Sequence, residues 1–262
     1  MCKMKIKKIL CIVVVLVVIV VLLLSINSFT GNPISKFIVK KAAEKYIDLN
    51  YGQFNLDIEK VYYNFKFRRY GVFVQSRTSK ATAFSIYFDG LGNIKEDDYV
   101  YEVANNFTTW RRLESELKVK ATEMIKNKLD YDFDYTAFHL VEEEREKDID
   151  INKLQLDMEL DIYNPPSLLE ADVVVYTDNV SYDKIAEVGK ALEETFKNQN
   201  VTISKYSIRL IPISDKKENE AVTWVNSISI SNFPTSLMSE DNLPQVMEEF
   251  EKSRIEAITE KH

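Results

Sequence analysis

His139 and His262 are the only imidazoles in this chain, and Cys2 and Cys11 are its only thiols. General-base catalysis, Ser-His-Asp triads and zinc sites draw on those groups first. A triad would need His139, and no G-x-S-x-G turn exists to present a serine. His139 stands between Phe138 and Leu140, which suits a neutral, partly buried or surface imidazole. Gly90-Leu91-Gly92 has the start of a dinucleotide loop, but Lys95 occupies the third glycine position and no helix opens behind it. It reads as a turn.

The carboxylates offer two further arrangements. Asp130-x-Asp132-x-Asp134 has the spacing that opens a calcium loop. Its sixth position is Tyr135 where the loop needs Gly, and its twelfth is Val141 where it needs Glu. An EF-hand is excluded, which leaves a weak calcium contact or a solvated turn. Gln155, Asp157, Glu159 and Asp161 alternate with Leu154, Leu156, Met158, Leu160 and Ile162, the pattern of a half-buried strand. Such an acidic face could hold a cation, or supply a carboxylate pair for glycoside hydrolysis. Its plain reading is the polar half of a strand.

Aromatic residues are abundant, with 14 Tyr, 14 Phe and two Trp. Tyr62, Tyr63, Phe65, Phe67, Tyr70 and Phe73 put rings on both faces of one hairpin, beside Lys66, Arg68 and Arg69. One face must cover a helix. The other makes Tyr62, Lys66, Arg68, Arg69 and Tyr70 a candidate binding surface for a peptide or glycan. Cross-strand ring pairing with snorkelling cations explains the same pattern.

The elements that would position these groups start with the N-terminus. Lys3, Lys5, Lys7 and Lys8 precede an unbroken apolar run over residues 9–24, and Ile26 extends it past Ser25. A span of about 17–18 residues is near the lower limit for a membrane helix, and the lysines place its start in the cytoplasm. Residues 1–30 therefore read as a basic tip and a signal anchor, with the membrane held by residues 9–26. Cleavage after Ser28 is the alternative. Cys11 lies at the start of the run, where no lipoprotein cysteine belongs. The exterior part has no cysteine and so no disulfide, which fits a Gram-positive envelope. Asn106, Asn179 and Asn200 open sequons that are patterns only in such a cell.

The 262 residues carry a net charge of −7, with 45% hydrophobic and 29% charged residues. These proportions exclude a disordered chain and a basic nucleic-acid binder, and allow one or two domains. The four N-terminal lysines are unmatched by acids, so the exterior part carries −11. On average it should be repelled by anionic lipid and attract basic partners.

Asn32-Pro33 caps a helix ending near Gly52, with Phe37, Ile38, Ala42, Tyr46 and Leu49 at helical spacing. Alternating runs around residues 61–67, 72–74 and 82–88 predict a three-stranded meander, with turns at Gly71 and residues 89–93. A long helix over 101–129 follows. Residues 31–130 thus form an α+β unit, helix, three strands, helix. Residues 131–262 form a second α+β unit in the order β-β-α-β-β-α: strands at 153–162, 171–176, 201–211 and 222–230, a helix capped by Ser181, and a last helix over 243–259.

Gly31-Asn32-Pro33-Ile34-Ser35-Lys36, Ala42-Ala43-Glu44-Lys45-Tyr46 and Val61-Tyr62-Tyr63-Asn64-Phe65-Lys66 resemble the YfjL-like family of bacillar membrane-anchored proteins. Asn164-Pro165-Pro166, the stretch from Val180 to Glu187, and Ser231-Asn232-Phe233-Pro234 are similar to that family's C-terminal domain. The first unit is also similar, more loosely, to PepSY-like and cystatin-like modules. The shared residues are caps, turns and core positions, so the resemblance implies architecture and a membrane location but no chemistry. Together these features predict a non-enzymatic binding or regulatory module at the cell surface. No catalytic residue, metal or cofactor is expected, and another membrane or cell-envelope protein is the expected partner. A cation or small-ligand sensor using the acidic face is the alternative, and a cell-wall hydrolase the third.

Overall fold

The computed structural model describes residues 13–18, 29–142, 150–217 and 224–260. The fold is α+β, with two four-stranded sheets. The chain divides into two compact units, residues 1–109 with 155–157, and residues 110–154 with 158–262. The division falls at Thr109, whereas the sequence pattern places it near residue 130.

In the first unit, helix α1 (Pro33–Tyr51) is capped as expected, with Asn32 Oδ1 accepting from Ile34 N at 2.8 Å. Strands β1 (Leu56–Asn64), β2 (Arg69–Ser76), β3 (Ala83–Phe88) and β4 (Ile94–Asp97) form an antiparallel meander in chain order. Val39, Ala43 and Ile47 of α1 pack with Val72, Val74, Phe84, Ile86 and Phe88. The buried stripe is therefore one step away from the expected one, and Phe37 and Leu49 point outward. Burial centres on the Val39–Ala43–Ile47 line, with Ala42 and Tyr46 packed at its edge.

The first hairpin turns earlier than its pattern suggests. Asn64 Oδ1 accepts from Lys66 N and Phe67 N, and Arg68 takes φ 51°, so residues 65–68 are the turn. Gly71 lies inside β2, opposite Tyr62. A Cβ at Gly71 would come within 2.3 Å of Tyr62 Cζ, so the ring occupies the space a side chain would need. The turn at residues 89–93 forms as expected, with Gly92 at φ 84° and Asp89 Oδ1 accepting from Leu91 N and Asn93 N. The strand after it was not expected, because Ile-Lys-Glu-Asp has almost no buried side.

The long helix α2 (Phe107–Lys126) starts after Asn106, whose φ of 57° separates it from a π turn over Val100–Ala104. Leu113, Leu117, Ala121 and Ile125, its buried stripe, belong to the core of the second unit. Periodicity shows that a helix has an inner face, not which sheet receives it.

The second sheet has the order β5 (Asp132–Val141), β6 (Leu168–Thr177), β7 (Lys205–Pro212), β8 (Ile228–Pro234). β6 and β7 are parallel and joined through α3 (Tyr182–Lys197); the other pairs are antiparallel. Ser181 caps α3 as predicted, accepting from Lys184 N at 3.3 Å. Ile185, Val188, Leu192 and Phe196 of α3 and Met247 of α4 (Leu243–Thr259) join Phe138, Leu140, Val173, Val175, Ile208 and Leu210 in one core. The β-β-α-β-β-α order holds from residue 132 onward, but residues 153–162 do not form its first strand. Leu154, Leu160 and Ile162 are buried, while Asp157 adopts φ 61°, which breaks a strand.

Candidate binding surfaces

His139 lies on β5 between two carboxylates. Its Nδ1 is 3.6 Å from Glu114 Oε1 on α2, and its Nε2 is 3.7 Å from Asp172 Oδ2 on β6. Asp172 first, then Glu114, push its pKa up to about 10 against the opposing effect of partial burial. The shift favours the imidazolium, whose two ring N–H groups are both donors. The one described imidazole thus lies in a cluster with two carboxylates; His262 lies outside the described residues.

The expected acidic row is not a face. Asp157 Oδ1 accepts from Ser79 Oγ and Ala81 N at 3.0 and 2.8 Å, inside the first unit. Asp161 Oδ1 accepts from Tyr163 N at 2.9 Å, capping a turn. No strand aligns these carboxylates on one face. Asp132, from the expected calcium spacing, is bridged to Lys216 Nζ at 2.6 Å. Among the described residues no group of three or more His, Cys, Asp or Glu could hold a metal ion.

The five residues of the expected hairpin surface separate. Tyr70 is 5% exposed, and its hydroxyl accepts from Asn32 N at 2.9 Å. Tyr62 is half-buried over Gly71, with its hydroxyl 3.4 Å from Ser85 Oγ. Arg69 is paired with Glu96 and stacked on Tyr87, 4.5 Å from the ring centre. Lys66 and Arg68 stand out at the turn, which also exposes the rings of Phe65 and Phe67. The turn, not the strand face, carries the accessible groups.

A second surface went unread in the sequence. On the outward face of β5–β8 a cleft of about 660 Å³ is lined by Asp134, Asp172, Val174, Ser207, Arg209 and Trp224. The Arg209 guanidinium lies 4.4 Å above the Trp224 ring, and its Nη1 donates to Ser227 Oγ at 3.1 Å. Asp172, Ser207 and Arg209 alternate with the buried Val173, Tyr206 and Ile208. That period-2 polar pattern was the available signal. A planar cation stacked on an indole, with carboxylates and hydroxyls beside it, can hold a polar ligand or peptide by hydrogen bonds and stacking.

Residues 6–92 match the YfjL-like N-terminal domain, and residues 116–248 match the YfjL-like C-terminal domain. No curated protein and no solved structure matches the chain.

Proposed function

The chain belongs to the YfjL-like family, and from that premise we propose that it is a membrane-anchored, extracytoplasmic module that acts by binding another envelope component, not by catalysis. The N-terminal family match begins at residue 6 and so takes in the apolar run. Most of residues 9–26 lie outside the described residues, and among the described ones no helix is long and apolar enough to cross a membrane. The described stretch, residues 13–18, is helical, with every side chain Val or Leu and each about half exposed. A helix apolar on every side suits lipid better than water.

The observation that carries the binding role is the cleft of the second unit. One face of that sheet is sealed by helices; the other offers Arg209, Trp224, Asp134 and Asp172 around an open hollow. The raised pKa of His139 makes it a poor general base at neutral pH, which supports the binding reading.

The test is photo-cross-linking in cells, using the full chain with a benzophenone amino acid in place of Ser229 in the cleft. The same group at Glu248, exposed on α4, is the control. A discrete adduct at 229, absent at 248 and weakened by Arg209→Ala, is the expected result. Equal labelling at both positions, or none, would contradict a binding role for the cleft.

A further inference from the structure

One end of the first unit differs from the rest of its surface. The turns at residues 65–68 and 89–93 lie at the same end of the meander, because both join antiparallel neighbours in the same direction. The first turns of α1 are there too: Gly90 sits against Ser35, and Gly92 against Ile38 and Ala42. This end carries Phe29, Ile34, Phe37, Phe65, Phe67 and Leu91, all between 56 and 78% exposed. An isolated exposed apolar residue needs no explanation, but six at one end of a small unit do.

Charge at this end runs against the chain's average. Lys36, Lys66, Arg68, Arg69 and Lys95 are offset there by Asp89 and Glu96 alone, and both acids are already paired, to Lys95 and Arg69. Phe67, Arg68, Arg69, Asp89 and Lys95 line a depression of about 400 Å³. At the opposite end Leu49, Val100 and Tyr101 are also exposed, but their charged neighbours in sequence are Asp48, Asp98 and Glu102.

The described chain resumes at this end with Phe29, three residues after the apolar run closes in the sequence. Ile26 and Phe29 are three residues apart, at most about 11 Å of extended chain. The polar headgroup layer on each side of a bilayer is about 5–8 Å deep. Phe29 lies against Phe65, with ring centres 5.8 Å apart. Gly31 is buried against Tyr63 and Tyr70 at φ 76°, and Asn32 N donates to the Tyr70 hydroxyl, which ties the exit of the apolar run to the base of the hairpin.

We infer that this end of the first unit docks on the outer lipid surface, with Phe65, Phe67 and Leu91 seated among the headgroups and Lys66 and Arg68 on lipid phosphates. Aromatic and aliphatic side chains rimmed by Lys and Arg are what a membrane interface accommodates. The inference rests on the anchor reading above and adds that the hairpin turn, not only the anchor, meets the membrane. The unit is thereby held in one orientation.

The full chain carrying Cys2→Ser and Cys11→Ser is reconstituted into vesicles of phosphatidylcholine and phosphatidylglycerol. A single cysteine at Phe67→Cys, Leu91→Cys or Gln53→Cys carries an environment-sensitive fluorophore; Gln53 follows the C-terminal end of α1. Nitroxide lipids with the spin label near the headgroup should quench the labels at 67 and 91 several-fold more than the label at 53. Aqueous iodide should show the reverse order. Protein that leaves the vesicles on alkaline washing would overturn the anchor, and this placement with it. Protein that stays, with iodide reaching all three labels equally, would overturn the placement alone; it is the result expected if a protein partner covers this end instead.

Discussion

The two sheets have the same number of strands and opposite economies of cover. The first is a plain meander covered mainly by α1, through a narrow line of Val39, Ala43 and Ile47, with Val103 of the π turn beside it. What it leaves open is an end, rich in Phe and Lys. The second contains a parallel pair, is packed by α2, α3 and α4, and has a far larger core. What it leaves open is a face, lined by alternate polar residues of β6 and β7. An apolar end with basic edges suits lipid, whereas a polar hollow with a stacked guanidinium suits a specific ligand. On the reading proposed above, attachment falls to one unit and recognition to the other.

The largest expected effect concerns which unit owns the long helix. Leu117 is fully buried among side chains of the second unit, so Leu117→Ala should cost about 2–5 kcal/mol. Hydrogen exchange should then quicken in β5–β8 and stay unchanged in β1–β4. Faster exchange in the meander instead would return α2 to the first unit, where the sequence pattern places it.

A smaller effect tests the first sheet. Gly71→Ala puts a methyl where the Tyr62 ring lies, and should destabilise by about 1–3 kcal/mol through overpacking. Combining it with Tyr62→Leu should recover part of the loss, because the ring is the obstacle. No recovery in a chemical-denaturation series would mean that the glycine serves backbone freedom instead.

The smallest effect is electrostatic and belongs to the second unit; His139 is 42% exposed, so solvent screens its ion pairs. The folded pKa of His139 is raised from 6.5 to about 10, so protonation favours the folded state. The stabilisation is fully present below about pH 6.5 and is lost as pH rises through about 10. The melting temperature of the parent should therefore exceed that of His139→Gln at pH 6 and converge with it by pH 10. A gap that widens with pH would show that the imidazole is neutral in the fold.

Much of the frame was legible in the sequence, because caps and turns act locally. Asn32-Pro33, Ser181 and Asp89-to-Asn93 each carry their own hydrogen-bonding reason. What misled were residues whose partners lie far along the chain. Gly71 reads as a turn until Tyr62 is seen across the ladder, and the alternation of residues 153–162 reads as a strand until Asp157 is seen capping Ser79 and Ala81. The candidate surface was half legible. Lys66 and Arg68 lie at the open turn, but Tyr70 is buried in the core, where its hydroxyl accepts from Asn32 N. The cleft stayed hidden because Arg209 is on β7 and Trp224 lies in the segment before β8, so that they are far apart in sequence and meet only in the fold.

The division of labour is tested most directly by one comparison of thiol reactivity. The full chain, freed of Cys2 and Cys11 and reconstituted in anionic vesicles, carries a single cysteine either at Leu91, on the turn of the first unit, or at Ser229, in the cleft of the second. A water-soluble maleimide should react at 229 in vesicles about as fast as in detergent, and be slowed several-fold by vesicles at 91. Equal rates at 91 in vesicles and detergent, or protection at 229 by lipid alone, would contradict the account.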